Sequence, residues 1–303
     1  MRTCHRILMT LGGLALASSC FSKAPASSQV ELTLCMPPGT DPADRAAILR
    51  LYDAAAFDRR LNMFTRPLDA DALQEFQRGL ESGRPAVQIS ALVLLASALP
   101  QGAIPTGEPV EPIARAVAAV IEVEAASATA NSVRVHARRV QWHLQVRTMT
   151  DPGERAAVLA PRLNQAGADG VYYAYVSVDY LAALGAEGER VLRAFVAEGA
   201  KRSIEPEIMG RAELGLRKIE LSRQLARSGP ADAVRALVAA AKTPTQRQMD
   251  REFGTWAVGL LAAHRPEADS ELRALADDAS VTDEVQNAAR FALTDDAKAT
   301  PWR

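Results

Sequence analysis

The sequence predicts an all-α chain assembled from helix pairs, and three observations carry that reading. The composition favours small apolar side chains: 48% of residues are hydrophobic but only 5% aromatic, which suits closely packed helices better than a twisted sheet. Apolar residues recur at helical spacing, as in Ile113, Val117, Val120 and Ile121. Several segments open with Asp or Gly ahead of Pro, and proline suits the first helical position because its missing N–H has no partner there. A chain of 303 residues can bury a large core, as one large domain or two smaller ones.

The N-terminal stretch gives an address. Arg2 and Arg6 form a positive end and Ile7–Ala17 an apolar middle, too short to span a bilayer, which needs about 20 residues. Residues 1–19 are therefore expected to act as a signal peptide. "ALA" (Ala15–Ala17) fits the small-x-small rule for ordinary release. "LASSC" (Leu16–Cys20) resembles the lipobox of bacterial lipoproteins, with Ala17 where that family usually has Leu. The resemblance implies a lipid on Cys20 and membrane attachment through that anchor only. Phe21 follows the cysteine in place of the Asp of inner-membrane retention, so the resemblance implies the outer membrane, facing the periplasm. The polar "FSKAPASSQ" reads as a tether, and with the weakly alternating "QVELTLCMP" it makes up residues 20–40. The alternative is ordinary cleavage and a soluble periplasmic or secreted protein. Cys20 would then pair with Cys35, a closure worth about 3 kcal/mol in the chain-entropy model. Cys4 leaves with the leader either way.

From Asp41 helical patterns dominate. Residues 41–68 read as an N-terminal capping helix region, opening at Asp41-Pro42. "DPGERAAVLAPRL" opens at Asp151-Pro152, and "GPADAVRALVAAA" at Gly229-Pro230. First helices of successive pairs begin near Asp69, Val110, Pro152, Glu187, Pro230 and Glu267, at spacings from 35 to 43 residues. Second helices carry a branched apolar residue and then Ala: "PAVQISALVLLASAL" from Pro85, "NSVRVHARRVQWHL" from Asn131, "PEIMGRAELGL" from Pro206 and "DEVQNAARFAL" from Asp283. The small Ala lets a neighbouring helix approach closely.

This pattern resembles the HEAT family of helical repeats. The resemblance covers about Asp69 to Leu293 and implies about six helix pairs over residues 69–294, forming a curved α-α solenoid in which each pair contacts mainly its neighbours. "TQRQMDREFGTWAVGLL" departs from the motif. Tetratricopeptide repeats have a different period, and their Trp…Leu-Gly…Tyr pattern is absent. An irregular helical domain is the remaining alternative. Residues 295–303 read as a frayed tail.

The same residues argue against several chemistries. No Gly-x-x-x-x-Gly-Lys loop, Gly-x-Ser-x-Gly elbow, His-Glu-x-x-His, Cys-x-x-Cys or Ser-x-x-Lys occurs. Net charge is -1, and losing Arg2 and Arg6 leaves 33 basic residues against 36 acidic. No basic block stands out, so a nucleic-acid partner is disfavoured. His136 and His143 lie seven apart, a rise of about 10.5 Å, too far for one metal ion; they read as packing at the core edge. His264 precedes Arg265-Pro266, where a cationic ring favours a helix C-terminus.

The segment Gly170–Leu184 holds four of the five tyrosines. As a helix it would bury Val171, Tyr175, Val178 and Leu181, with Tyr172, Val176 and Tyr180 along another stripe; strand alternation is its rival. Tyr172, Tyr173 and Tyr180 are the candidate partner-binding surface, since tyrosine combines apolar area with a polar tip. The alternative is local packing. Pro100–Pro112 is a long, stiff connection, a second and weaker candidate. The expectation is a non-enzymatic envelope lipoprotein that binds a protein partner. It includes no catalytic residue, cofactor, metal, nucleic acid or small-molecule substrate. A periplasmic enzyme or enzyme subunit without a local motif is the alternative.

Overall fold

In the computed structural model, the helix starts fall on the residues that cap them. Asp41 accepts from the Ala43 N–H at 2.7 Å, Asp69 from Ala72 at 2.9 Å and Asp151 from Glu154 at 2.7 Å. Each carboxylate satisfies an N–H that the first turn leaves without a partner. The structure describes residues 40–58, 63–104, 110–123, 127–165, 167–199, 206–243, 248–294 and 297. Cys20, Cys35, the leader, the tether and "QVELTLCMP" lie outside them. The chain divides into two compact units, Met1–Thr148 and Met149–Arg303.

In the first unit, α1 (Pro42–Ala55) ends at Ala56 with φ 46°. The region 41–68 is not helical throughout. A two-residue antiparallel hairpin follows α1, β1 (Phe57–Asp58) with β2 (Met63–Phe64), and Phe57 pairs with Phe64. Burial explains the turn back: Phe64 is fully buried, and its ring meets that of Phe57 edge-on at 5.1 Å. Two helix pairs come next, α2 (Ala70–Glu81) with α3 (Pro85–Ala98), then α4 (Glu111–Glu122) with α5 (Ala128–Thr148). First helix packs on first helix, α2 on α4, and second on second, α3 on α5; α1 rests on α2 and α3. Ile48, Leu51, Phe76, Leu92, Leu95 and Ile113 anchor the core between them. The start of the 100–112 connection is held down, with Ala103 and Ile104 buried and the Arg147 side chain donating to the Ile104 carbonyl at 2.5 Å.

The second unit holds α6 (Pro152–Leu159), which runs into a 3-10 turn (Ala160–Asn164), and then α7 (Gly167–Ala182) and α8 (Ala186–Gly199). These are followed by α9 (Pro206–Leu225), α10 (Pro230–Ala241), α11 (Gln248–Ala262), α12 (Asp269–Asp277) and α13 (Asp283–Ala292). The tyrosine-rich segment is thus helical. Pairing recurs: α8 lies on α9, α10 on α11 and α12 on α13. The second helices also pack in a row, α7 on α9, α9 on α11 and α11 on α13. Of the tail, Ala297 is described, and it is buried.

Alanine does the work its spacing suggests. Ala91, Ala137, Ala212 and Ala289 lie four residues after Val87, Val133, Ile208 and Val285, and all four alanines are 0% exposed. Ala174 and Ala257, four residues after Gly170 and Phe253, are equally buried. The segment that departs from the motif therefore keeps its alanine and replaces only the branched residue. Gly254 tightens the same row, because a Cβ there would meet Val285 Cγ2 at 3.0 Å and the Ala241 carbonyl oxygen at 3.2 Å.

Candidate functional site

The candidate residues read from the sequence differ in burial in the structure. Tyr172 is 8% exposed, with its ring edge-on to Tyr173 at 5.5 Å. It is packed inside and offers almost no surface to a partner. Tyr173 is half-buried under the Arg162 guanidinium, whose Cζ lies 4.9 Å from the ring centroid, and Tyr180 is also half-buried. The tyrosine that organises its surroundings is Tyr175, which the sequence reading assigned to the buried stripe. Val178 and Leu181 of that stripe are fully buried, while Val171 and Tyr175 are half-buried.

Tyr175 belongs to a polar seam across α7, α9 and α11. Tyr175 and Asp179 sit one turn apart on α7, Arg211 and Lys218 two turns apart on α9, and Glu252 and Trp256 one turn apart on α11. Arg211 donates to Asp179 Oδ2 at 2.8 Å and also to Glu252 Oε2. Its guanidinium lies over the Tyr175 ring at 4.3 Å, and the Tyr175 hydroxyl donates to Glu252 Oε1 at 3.4 Å. One planar cation thereby ties three second helices together.

Electrostatics follow from this geometry. Burial alone would discourage the Arg211 charge, but Asp179 and Glu252 outweigh it and raise its pKa. Burial raises the Tyr175 pKa despite the opposing pull of Arg211, so the phenol stays protonated. Lys218 is half-buried, and its pKa is lowered first by burial and then by repulsion from Arg211. Its Nζ lies 5.5 Å from the Trp256 ring centroid. Trp256 in turn stacks on Phe253 at 5.8 Å, and Arg217 covers Phe253 at 4.2 Å while pairing with Asp250 at 2.5 Å. Both Asp179 and Glu252 are engaged by Arg211, so the seam is built to hold charges in place and present a cation beside an aromatic face. Sequence reasoning missed Arg211, although an arginine inside the apolar run "IMGRAELGL" was a visible signal.

The first unit offers two lesser candidates. His143 is fully buried on α5 beside Trp142, and its pKa is lowered to about 3 by burial and by the Arg139 charge. It therefore stays neutral at pH 7 and reads as core, while His136 is half-buried. A solvent-open hollow of about 510 Å³ is lined by Arg50, Asp53, Arg66, Asp69, Glu75 and Arg78. Within it Glu75 pairs with both Arg50 and Arg78, and Asp69 caps the Ala72 N–H. Among the described residues no three His, Cys, Asp or Glu side chains gather as metal ligands, and no helix is long and apolar enough to cross a membrane.

The chain matches no protein-family model, and no curated protein matches it in sequence.

Proposed function

We propose that this chain is a non-enzymatic bacterial envelope lipoprotein. Its helix pairs stack as HEAT-like repeats, and it serves as a protein-protein interaction module or scaffold. The observation that carries the reading is the row α7, α9, α11 and α13, with first helices paired behind α9, α11 and α13. Stacked pairs of this kind share one long face, and such faces are where helical-repeat proteins hold partners. The half-exposed Trp256 and Arg217 along the row supply the aromatic and guanidinium side chains that interfaces favour. The lipobox-like "LASSC" and its polar tether support attachment through Cys20, with the protein placed at the outer membrane facing the periplasm.

Three measurements on the native host test this. Cys20→Ser is expected to move the protein from the membrane to the soluble fraction; unchanged partitioning removes the anchor. An intact mass carrying a Cys20–Cys35 disulfide would instead establish the soluble reading. A photo-crosslinking residue placed at positions 213, 217 or 256 is expected to trap a discrete protein partner in cells. The same residue at Val123, exposed in the first unit, should not trap it. Equal capture from both units, or none from either, sinks the interaction module.

A further inference from the structure

We propose that the seam between α9 and α11 receives a carboxylate side chain of a protein partner, held by the Lys218 ammonium against the Trp256 ring. This rests on the reading of residues 149–303 as an interaction module and names the chemistry of what it holds. Helix α9 carries four cations, and three of them have carboxylates. Arg211 holds Asp179 and Glu252, Arg217 holds Asp250, and Arg223 holds Glu220 and Glu189. Lys218 differs. Among the described residues it has no ion pair and no hydrogen bond, and its close contact is the Trp256 ring.

An ammonium has three N–H donors, and among the described residues no protein acceptor takes those of Lys218. The two carboxylates nearest in charge, Asp179 and Glu252, are oriented on Arg211. An incoming carboxylate would give Lys218 charge-assisted hydrogen bonds and offset the repulsion from Arg211. Trp256, fixed by its stack on Phe253, offers an apolar wall for the stem of that side chain. Charge selects the ligand class. Arg211, Lys218, Asp179 and Glu252 sum to zero, so the seam lacks the concentrated positive field that phosphate-rich surfaces need. One unpaired ammonium beside one indole fits a single Glu or Asp on an otherwise apolar protein segment.

The test uses the full chain and a dye-labelled peptide of alternating Glu and Leu, with a Lys-Leu peptide as control, followed by fluorescence anisotropy. Lys218→Met is expected to weaken the Glu-Leu peptide about ten-fold, about 1.4 kcal/mol. Lys218→Arg should retain binding, and Arg227→Met, which removes an exposed cation elsewhere, should leave it unchanged. A second readout needs no variant: the peptide should protect Lys218 of the wild-type protein from an amine-acetylating reagent, read by mass spectrometry, while leaving Lys242 reactive. Equal losses in Lys218→Met and Arg227→Met overturn the proposal. So do unprotected Lys218, absence of Glu-Leu binding, or equal binding of the Lys-Leu peptide. Should a cellular partner be trapped as readily by Lys218→Met as by wild type, the seam falls while the interaction module stands. Absence of any trapped partner removes the module itself.

Discussion

A guanidinium presents five N–H donors in a fixed plane, and Arg211 places that plane between carboxylates from two other helices. Its side chain is 8% exposed, against 25% for Asp179 and 32% for Glu252. Breaking a fully buried pair costs about 3–5 kcal/mol because one charge is left uncompensated. Here the carboxylates keep some water, so Arg211→Met should lower unfolding free energy by about 2–3 kcal/mol in urea titrations. Combining it with Asp179→Leu and Glu252→Met should recover most of that loss, since the apolar set leaves no unpaired charge. A triple variant as unstable as the single one would show that the helices depend on the ion network itself. Tyr172, 8% exposed, shows what a sequence hides at this scale. Residue type and clustering drew attention to the tyrosines, but burial is decided by neighbours far along the chain. Asp179 and Glu252 stand 32 and 41 residues from Arg211, and no local pattern announces such partners.

Whole helices were more legible, because their signals are local. Asp-Pro starts, N-capping carboxylates and the apolar period are all properties of a few consecutive residues. The helices they mark begin at Pro42, Ala70, Pro152 and Pro230 in the structure. The short hairpin after α1 was not legible: its strands have two residues each, too few for an alternation to register. At the contacts between helices, small residues set the approach. Gly254 on α11 faces Val285 of α13 and the backbone of Ala241 at the end of α10. Replacing it pits two effects against each other. Alanine improves helix propensity by about 1 kcal/mol over glycine, while its methyl must fit a gap of 3.0 Å to Val285 Cγ2. Gly254→Ala should therefore change stability by less than about 1 kcal/mol. Gly254→Leu gains similar propensity but adds atoms the row cannot accept, and should cost about 2–3 kcal/mol. Thermal melts of the two variants check this, and a Leu variant as stable as wild type would show that α11 and α13 can move apart.

At the scale of the molecule, the two units carry different titrating groups, so acid should reach them at different pH. In the first unit, α5 buries His143 completely, and its pKa falls from 6.5 to about 3. Helix α3, packed on α5, has no ionisable side chain; on α4, Glu111, Arg115 and Glu122 are exposed; and Arg139 beside His143 is itself cationic. Between pH 6.5 and about 3 the unfolded chain binds a proton that the folded one refuses. Stability contributed by neutral His143 is thus fully present above pH 6.5 and declines by about 1.4 kcal/mol per pH unit as pH falls through that window. In the second unit the shifted carboxylates are Glu189, lowered chiefly by its hydrogen bond from Arg193, and Asp278, lowered chiefly by Lys242. A depressed carboxylate loses its contribution only as pH drops below its ordinary value, 4.5 for Glu189 and 3.8 for Asp278. Amide hydrogen-exchange protection, corrected for intrinsic rates, should therefore weaken in α3, α4 and α5 between pH 7 and 5, while α9, α11 and α13 hold. His143→Leu should flatten the response of the first unit across that interval. Protection in α5 that stays constant down to pH 5, or that falls equally in both units, would mean that His143 does not govern the acid response.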